Sequence, residues 1–307
     1  MSSTTSAQNP SNPANPANPA NPASSSTTET PSFAIDTITV TTKRGIASRV
    51  RLYRPTVTPT LRPLIFLHGA MGLMDNEPAL EMIAADRIVV APIWPGYSDE
   101  QGELLIEDML DFTLHGWDLV ETLRNEELLG LTPIDLAGHC MGGMIAAEMA
   151  GLAPSLVAHL VLLNPLGLWI DTHPIPDIFA TLPYEFAPLL FHDPTKGTAH
   201  LIGQTDWNDT KAIEIFLVAN ARRLGTAGKI LFPIPNRRLS KRLYRLSTPT
   251  ALVWGTSDKL VALDPYATRW NELIPHAQFI PIAEAGHLPN LEQPVATAIA
   301  IKEFLAH

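Results

Sequence analysis

The sequence contains very little cysteine and no long apolar run. Of its 307 residues only Cys140 is a cysteine, so no disulfide can form within the chain. No stretch approaches the roughly 18 consecutive apolar residues that a membrane span needs, and the first residues lack the charged region and apolar core of a signal peptide. These absences predict a cytoplasmic protein.

Basic charge and ligand-binding motifs are also scarce. The chain has 21 Lys and Arg against 31 Asp and Glu, a formal net charge of −10. Nucleic acids and anionic membranes select a net basic face, which this composition disfavours. No H-E-x-x-H or C-x-x-C metal pattern and no glycine-rich nucleotide-binding pattern occurs. We therefore expect a small-molecule substrate, no nucleic-acid or membrane partner, no cofactor and no metal.

Residues 1–32 differ in composition from the remainder of the chain. Asn-Pro-Ala repeats run from Asn9 to Ala23 and are followed by Ser and Thr. Proline fixes φ and removes backbone donors, and the segment has almost no side chains for a core. We predict a disordered leader, either a solubilising tail or a tether.

From Phe33 onward the pattern becomes globular. Phe33 to Val40 and Ile46 to Tyr53 alternate apolar and polar residues around a Lys-Arg-Gly turn, which predicts an antiparallel hairpin. Short apolar runs typical of buried strands then alternate with helical spacings, including a helix over Leu104 to Leu123. This alternation predicts an α/β fold with a doubly wound, mostly parallel sheet.

The alternation stops over residues 165–246, which are rich in proline and aromatic residues. We interpret this stretch as a helical lid inserted after strand 6, over the carboxyl ends of the strands where ligands bind. The core then comprises residues 33–164 and 247–307. Most aromatic residues of the insert are expected to pack the insert itself.

The segment from Gly138 to Gly143 follows an apolar run and precedes a stretch of small apolar residues. This strand, sharp turn and helix form a nucleophile elbow, with Cys140 where serine is usual. A cysteine nucleophile needs a base, an acid and donors for the oxyanion. Asp258 follows a buried strand and His287 follows the last strand, which gives the order nucleophile, acid, histidine.

From about Phe33 to its end the chain therefore resembles the α/β-hydrolase fold, whose lid-bearing members have an eight-stranded, mostly parallel sheet. The resemblance implies that Cys140, His287 and Asp258 form a catalytic triad. The run His68-Gly69-Ala70-Met71-Gly72 is similar to the family's oxyanion loop. It implies that the backbone N–H groups of Ala70 and Met141 form the oxyanion hole.

The resemblance implies a hydrolase that cleaves an ester, lactone, thioester or related acyl substrate through an acyl-cysteine. Cysteine elbows also occur in acyltransferases and cyclases, which pass the same thioester to another acceptor. Two further alternatives remain. Cys140 could be an engineered replacement of serine that traps an intermediate, or the chain could be a catalytically silent binding protein with this fold.

Other candidate residues receive structural interpretations. We expect His139 to line the pocket and His68 to hold the oxyanion loop by hydrogen bonds. Asn164 occupies the alternative acid position after strand 6, and Asp171 is a rival acid. The basic cluster is defined as Arg237, Arg238, Lys241, Arg242 and Arg245. It could bind an acidic substrate or the phosphopantetheine arm of a carrier protein, but its spacing favours a solvated helix face.

Overall fold

The computed structural model describes residues 33–98, 102–131, 133–202 and 205–307. The predicted leader lies outside the described residues. The described strands are β1 (Phe33–Thr41), β2 (Ala47–Pro55), β3 (Leu64–Leu67), β4 (Val89–Pro92), β5 (Ile134–His139), β6 (Val157–Leu163), β7 (Thr250–Gly255) and β8 (Gln278–Ile282). The described helices are α1 (Pro78–Ile83), α2 (Met109–Asn125), α3 (Met141–Leu152), α4 (Phe186–Leu190), α5 (Pro194–Ile202), α6 (Thr210–Leu231), α7 (Leu263–Leu273), α8 (Pro289–Glu292) and α9 (Pro294–Leu305).

The eight strands form one sheet in the order β1-β2-β4-β3-β5-β6-β7-β8. β1 and β2 pair antiparallel, and their turn contains Gly45 at φ +77°, a left-handed conformation that glycine adopts without strain. β2 joins β4 antiparallel, while the remaining neighbours pair parallel. The predicted hairpin and the predicted eight-stranded, mostly parallel sheet are confirmed.

The central strands are buried on both faces, which explains their continuous apolar runs. Successive side chains alternate between two cores, as Leu136 and Ala137 of β5 do. Residues of α2 and α3 complete the core on one face, and residues of α1 and α9 complete the core on the other.

The interval between β6 and β7 is largely helical. It contains α4, α5 and α6, followed by two short 3₁₀ turns at Leu239–Lys241 and Leu243–Arg245. Some aromatic residues of this insert pack against each other, as predicted: the rings of Phe179 and Phe232 lie 5.8 Å apart, edge to face.

Two features differ from the sequence prediction. α2 begins at Met109, because Asp108 caps it by accepting hydrogen bonds from the N–H groups of Leu110 and Asp111. The short helices α1 and α8 were not predicted, because six and four residues are too few to show helical periodicity.

Within the described part of the chain, no helix combines the length and apolar character needed to cross a membrane. The cytoplasmic location stays a prediction.

Candidate active site

Cys140 lies at the turn between β5 and α3, at the centre of the sheet. Its backbone has φ 55° and ψ −118°, a region that strains residues with a side chain by about 1–3 kcal/mol. Close approach of the backbone explains the flanking glycines, because a Cβ on Gly142 would overlap the carbonyl of Leu67. The sequence therefore dictates a sharp turn with Cys140 at its tip, where the side chain is 3% exposed.

Asp258 and His287 lie together at the carboxyl ends of β7 and β8. The His287 Nδ1–H donates to Asp258 Oδ2 over 2.8 Å. Asp258 Oδ1 accepts hydrogen bonds from the N–H groups of Leu260 and Val261, at 2.8 and 2.9 Å. These bonds hold the carboxylate in place, and the carboxylate fixes the tautomer of the ring.

The bond to Asp258 uses one nitrogen of the His287 ring, Nδ1, and leaves Nε2 for another contact. Its Nε2 is buried and has no hydrogen-bond partner among the described residues. Burial lowers the pKa of His287, but attraction to the Asp258 carboxylate, together with the influence of Cys140, outweighs burial and raises the pKa to about 10.

The glycine-rich loop after β3 packs against the nucleophile. A Cβ on Gly69 would lie 2.7 Å from the Cβ of Cys140, so only glycine allows this approach. The next residue, Ala70, is buried, and its carbonyl accepts a hydrogen bond from the Tyr97 hydroxyl at 3.1 Å. In the described turns and loops, neither the Ala70 N–H nor the Met141 N–H donates to a backbone carbonyl.

The sequence profile of the alpha/beta hydrolase family matches residues 64–300 of this chain. The chain belongs to the alpha/beta hydrolase family.

Named proteins and solved structures resemble this alpha/beta hydrolase. Lipase 3 of Moraxella sp. is 25% identical over 252 residues, which cover 80% of this chain and 78% of the lipase. The dihydrolipoyllysine-residue acetyltransferase component of the acetoin cleaving system of Pseudomonas putida is 30% identical over 241 residues, covering 75% of this chain and 60% of that protein. A crystal structure of 2-hydroxy-6-oxo-6-phenylhexa-2,4-dienoate hydrolase from Rhodococcus sp. superposes with a TM-score of 0.64 at 17% identity, covering 89% and 100% of the two chains. That likeness shows the fold alone.

Asn164 is a site residue of this alpha/beta hydrolase whose contact the sequence did not predict. Its Nδ2 donates to Asp258 Oδ2 at 2.6 Å, and its Oδ1 accepts from the Gly255 N–H at 3.3 Å. The side chain is fully buried. Asn164 therefore supports the acid instead of replacing it, and the one available signal was its position directly after β6.

Two further histidines brace the loops of the site. The N–H of Trp94 donates to His68 Nε2 at 3.1 Å, so His68 Nδ1 carries the proton and donates to the Gly69 carbonyl at 2.9 Å. His139 Nε2–H donates to the carbonyl of His287 at 2.7 Å. Burial lowers the pKa of His68 to about 4 and the pKa of His139 to about 3, so both rings are neutral. The structural roles predicted for them agree with these contacts.

The helical insert contacts the loop that carries His287. The His287 N–H donates to the Leu190 carbonyl at 2.7 Å. The Glu292 carboxylate accepts from the N–H groups of His192 and Asp193 in the insert, both at 3.0 Å, and from the Gly286 N–H at 2.6 Å. One carboxylate thereby ties the insert to the His287 loop.

The remaining candidates lie apart from this arrangement. Asp171 is exposed and accepts a hydrogen bond from the indole of Trp169, away from His287. The prediction that the basic cluster is a solvated helix face holds only in part, because Arg238, Lys241 and Arg245 are exposed but Arg237 and Arg242 are half-buried and the segment is not an α-helix. Arg242 forms a two-pronged ion pair with the buried Glu148, and Arg245 donates to the Gly151 carbonyl, because the segment folds into 3₁₀ turns packed on α3.

Within the described ranges, no group of three or more His, Cys, Asp or Glu side chains is placed to hold a metal ion.

Proposed function

We propose that this alpha/beta hydrolase cleaves an ester, lactone, thioester or related acyl substrate through an acyl-cysteine intermediate. Cys140 is the nucleophile, His287 the acid and base, and Asp258 the group that orients the ring. One observation carries the proposal: His287 Nδ1 is held by Asp258, its Nε2 is buried without a hydrogen-bond partner among the described residues, and Cys140 acts on the pKa of the same ring. The lipase among the relatives supports the same class of reaction.

In the first half of the reaction, the Cys140 sulfur attacks the carbonyl carbon of the substrate. A carbon–sulfur bond forms, and the carbonyl π electrons move to the oxygen, where the Ala70 and Met141 N–H groups stabilise the negative charge. The tetrahedral species then collapses. The bond to the leaving group breaks, His287 gives that group its proton, and a thioester remains on Cys140.

In the second half, water attacks the thioester while His287 accepts the proton of the water. The acid product leaves, and the thiolate and imidazolium are restored. The Cys140 thiolate helps to raise the pKa of His287 in the resting enzyme. Acylation removes that negative charge and so lowers the pKa of His287, which leaves more of the ring unprotonated and able to accept the proton of the water.

We interpret residues 165–246 as a lid over this site. Cys140 is 3% exposed and His287 is 1% exposed, so an organic substrate needs an opening to reach them. The contacts of the insert with His287 and Glu292 described above are the contacts that such an opening would break. Exclusion of water by the lid would strengthen the electrostatic interactions inside the site.

The test is steady-state hydrolysis of short-chain p-nitrophenyl esters. We expect turnover by the wild type and a loss of kcat of about 10³-fold or more in Cys140→Ala and in His287→Gln. Asp171→Asn is the matched control and should retain wild-type kcat. Undiminished turnover by the folded Cys140→Ala variant would contradict the proposal, and no turnover of any acyl ester by the wild type would favour a silent binding protein.

Acyl transfer is a second candidate function. It is favoured by the acetyltransferase component among the relatives and by the burial of the site, which limits access of water. The two functions are separated by adding alcohol, amine or thiol acceptors to the ester assay and measuring the products by mass spectrometry. A hydrolase forms the free acid at an unchanged rate, whereas a transferase forms the acceptor adduct and turns over faster.

A further inference from the structure

A cleft borders the oxyanion loop on the side of α6. It is lined by Gly96, Tyr97 and Ser98 on one wall and by residues of α6 on the other, including Asn220 and Arg223. It encloses about 180 Å³, enough for a small polar group but not for a whole acyl substrate.

The Arg223 guanidinium in this cleft has no negative partner. Its Nη1 donates to the Met71 carbonyl at 2.8 Å, its Nη2 donates to the Asn220 side-chain oxygen, and its Nε is buried with no acceptor. Both acceptors are neutral, and within the part of the chain that the structure describes no carboxylate pairs with Arg223. The adjacent Arg222, by contrast, pairs with Glu103 at 2.9 Å. The cleft thus carries one positive charge that no carboxylate of the described residues neutralises.

This charge is poorly solvated. Burial lowers the pKa of Arg223, yet arginine stays protonated throughout the physiological range. A buried cation without a counter-charge is costly, and a guanidinium fork is the donor arrangement that matches a carboxylate. A ligand with a single negative charge would balance the charge of Arg223 better than a doubly charged phosphate, because Arg223 is the one cation of the described cleft residues without a carboxylate partner.

Two residues that line the cleft contact the oxyanion loop. Met71, which Arg223 contacts, follows Ala70 directly in the chain. The Tyr97 hydroxyl donates to the Ala70 carbonyl at 3.1 Å. Tyr97 therefore both lines the cleft and contacts the oxyanion loop.

We propose that Arg223 binds a carboxylate on the substrate, so that the preferred substrates are acyl compounds with a second, ionised carboxyl group, such as half-esters of dicarboxylic acids. This inference rests on the proposed function and names the substrate class of the same site. It also gives Arg223 a role beyond its contact with Met71, which alone would make it a positioning residue for the oxyanion loop.

The test compares two substrates that differ only in charge: mono-p-nitrophenyl glutarate and its methyl-capped diester. We expect the wild type to favour the charged ester in kcat/KM, and Arg223→Gln to lower that preference about 10- to 100-fold, mainly through KM. Arg223→Lys should keep part of the preference. Arg269→Gln, which alters a surface pair with Glu272, is the matched control and should leave the preference unchanged.

A binding measurement separates failure of this inference from failure of the proposed function. Calorimetry on the folded wild type should detect monomethyl glutarate but not dimethyl glutarate, and Arg223→Gln should abolish the binding, whether or not either ester is hydrolysed. Equal binding of the two esters would overturn the inference. An equal fall of kcat for charged and neutral esters in Arg223→Gln would also overturn it and would leave Arg223 as a positioning residue, with the hydrolase proposal intact.

Discussion

Replacing Asp258 by asparagine is the change whose consequences the structure defines most fully. The carboxylate accepts four N–H groups, two on each oxygen, from Leu260, Val261, Asn164 and His287. An amide has one oxygen and one NH₂ group, so in either orientation its NH₂ group meets two donors. No rotation of the side chain restores the lost acceptor.

The effect on activity follows from the tautomer of His287. With the NH₂ group towards the ring, Nδ1 must become the acceptor, and the proton moves to Nε2, where the reaction needs an acceptor. With the amide oxygen towards the ring, the tautomer survives but the negative charge that raises the pKa of His287 is gone. We expect kcat to fall about 10³- to 10⁴-fold, equivalent to about 4–5.5 kcal/mol of transition-state stabilisation.

The same substitution should also lower stability. Two donors lose a charged acceptor, and each such bond contributes about 1.5–3 kcal/mol, so the free energy of unfolding should fall by about 3–6 kcal/mol. The assay is kcat on a p-nitrophenyl ester at low temperature, after circular dichroism has shown that the variant is folded, alongside urea denaturation. Asp171→Asn should match the wild type in both. A folded Asp258→Asn enzyme with kcat within tenfold of the wild type would refute the reasoning.

Three further predictions concern Asn164, Glu77 and Cys140. Asn164→Ala removes a 2.6 Å hydrogen bond to Asp258 and leaves the Gly255 N–H without its acceptor. We expect kcat to fall about tenfold and the free energy of unfolding to fall by about 2–4 kcal/mol. An unchanged pH profile of kcat would contradict the positioning role of Asn164. Burial raises the pKa of Glu77 from 4.5 to about 7. Between these two pH values the folded state holds a proton that the unfolded state has lost. The free energy of unfolding therefore falls as the pH rises from 4.5 to about 7, by at most about 3 kcal/mol. The free energy of unfolding of Glu77→Gln, measured relative to the wild type, should therefore rise from pH 4.5 to 7 and stay level above pH 7. The opposite trends of His68 and His139 occur in both proteins and cancel in this difference. A difference that is constant across pH would contradict the prediction. Cys140→Ser should lower the pKa of His287 by removing the thiolate, and nuclear magnetic resonance titration of the ring should detect the shift; an unchanged titration would mean that the thiolate does not act on the ring.

The features that arise from local backbone chemistry could be predicted from the sequence. Gly138 and Gly142 predicted the elbow, because glycine alone permits the close approach of Gly138 to the backbone of α3 and of Gly142 to the Leu67 carbonyl of β3. The buried strands were recognisable as continuous apolar runs. The positions of Asp258 and His287 after β7 and β8 followed from the order of elements in the resembling family.

Features that depend on pairing between distant segments were not predicted. The bond of Asn164 to Asp258 depends on the register of β6 against β7, which no periodicity reveals. The link between Glu77 and Asn290, at 2.9 Å, joins residues 213 positions apart. The ion pair of Arg242 with Glu148 likewise turned an expected solvated face into a packed one. In each case the sequence gives the side chain but not its partner.

The most direct test of the central claim is to quench the enzyme with acid during turnover of an activated ester and to map the covalent adduct by peptide mass spectrometry. The account predicts an acyl group on the peptide that contains Cys140, present within the first turnover, lost after the substrate is exhausted, and absent from Cys140→Ala. An adduct on a different residue, or turnover of the ester without any adduct at Cys140 in a variant slowed at His287, would contradict the account.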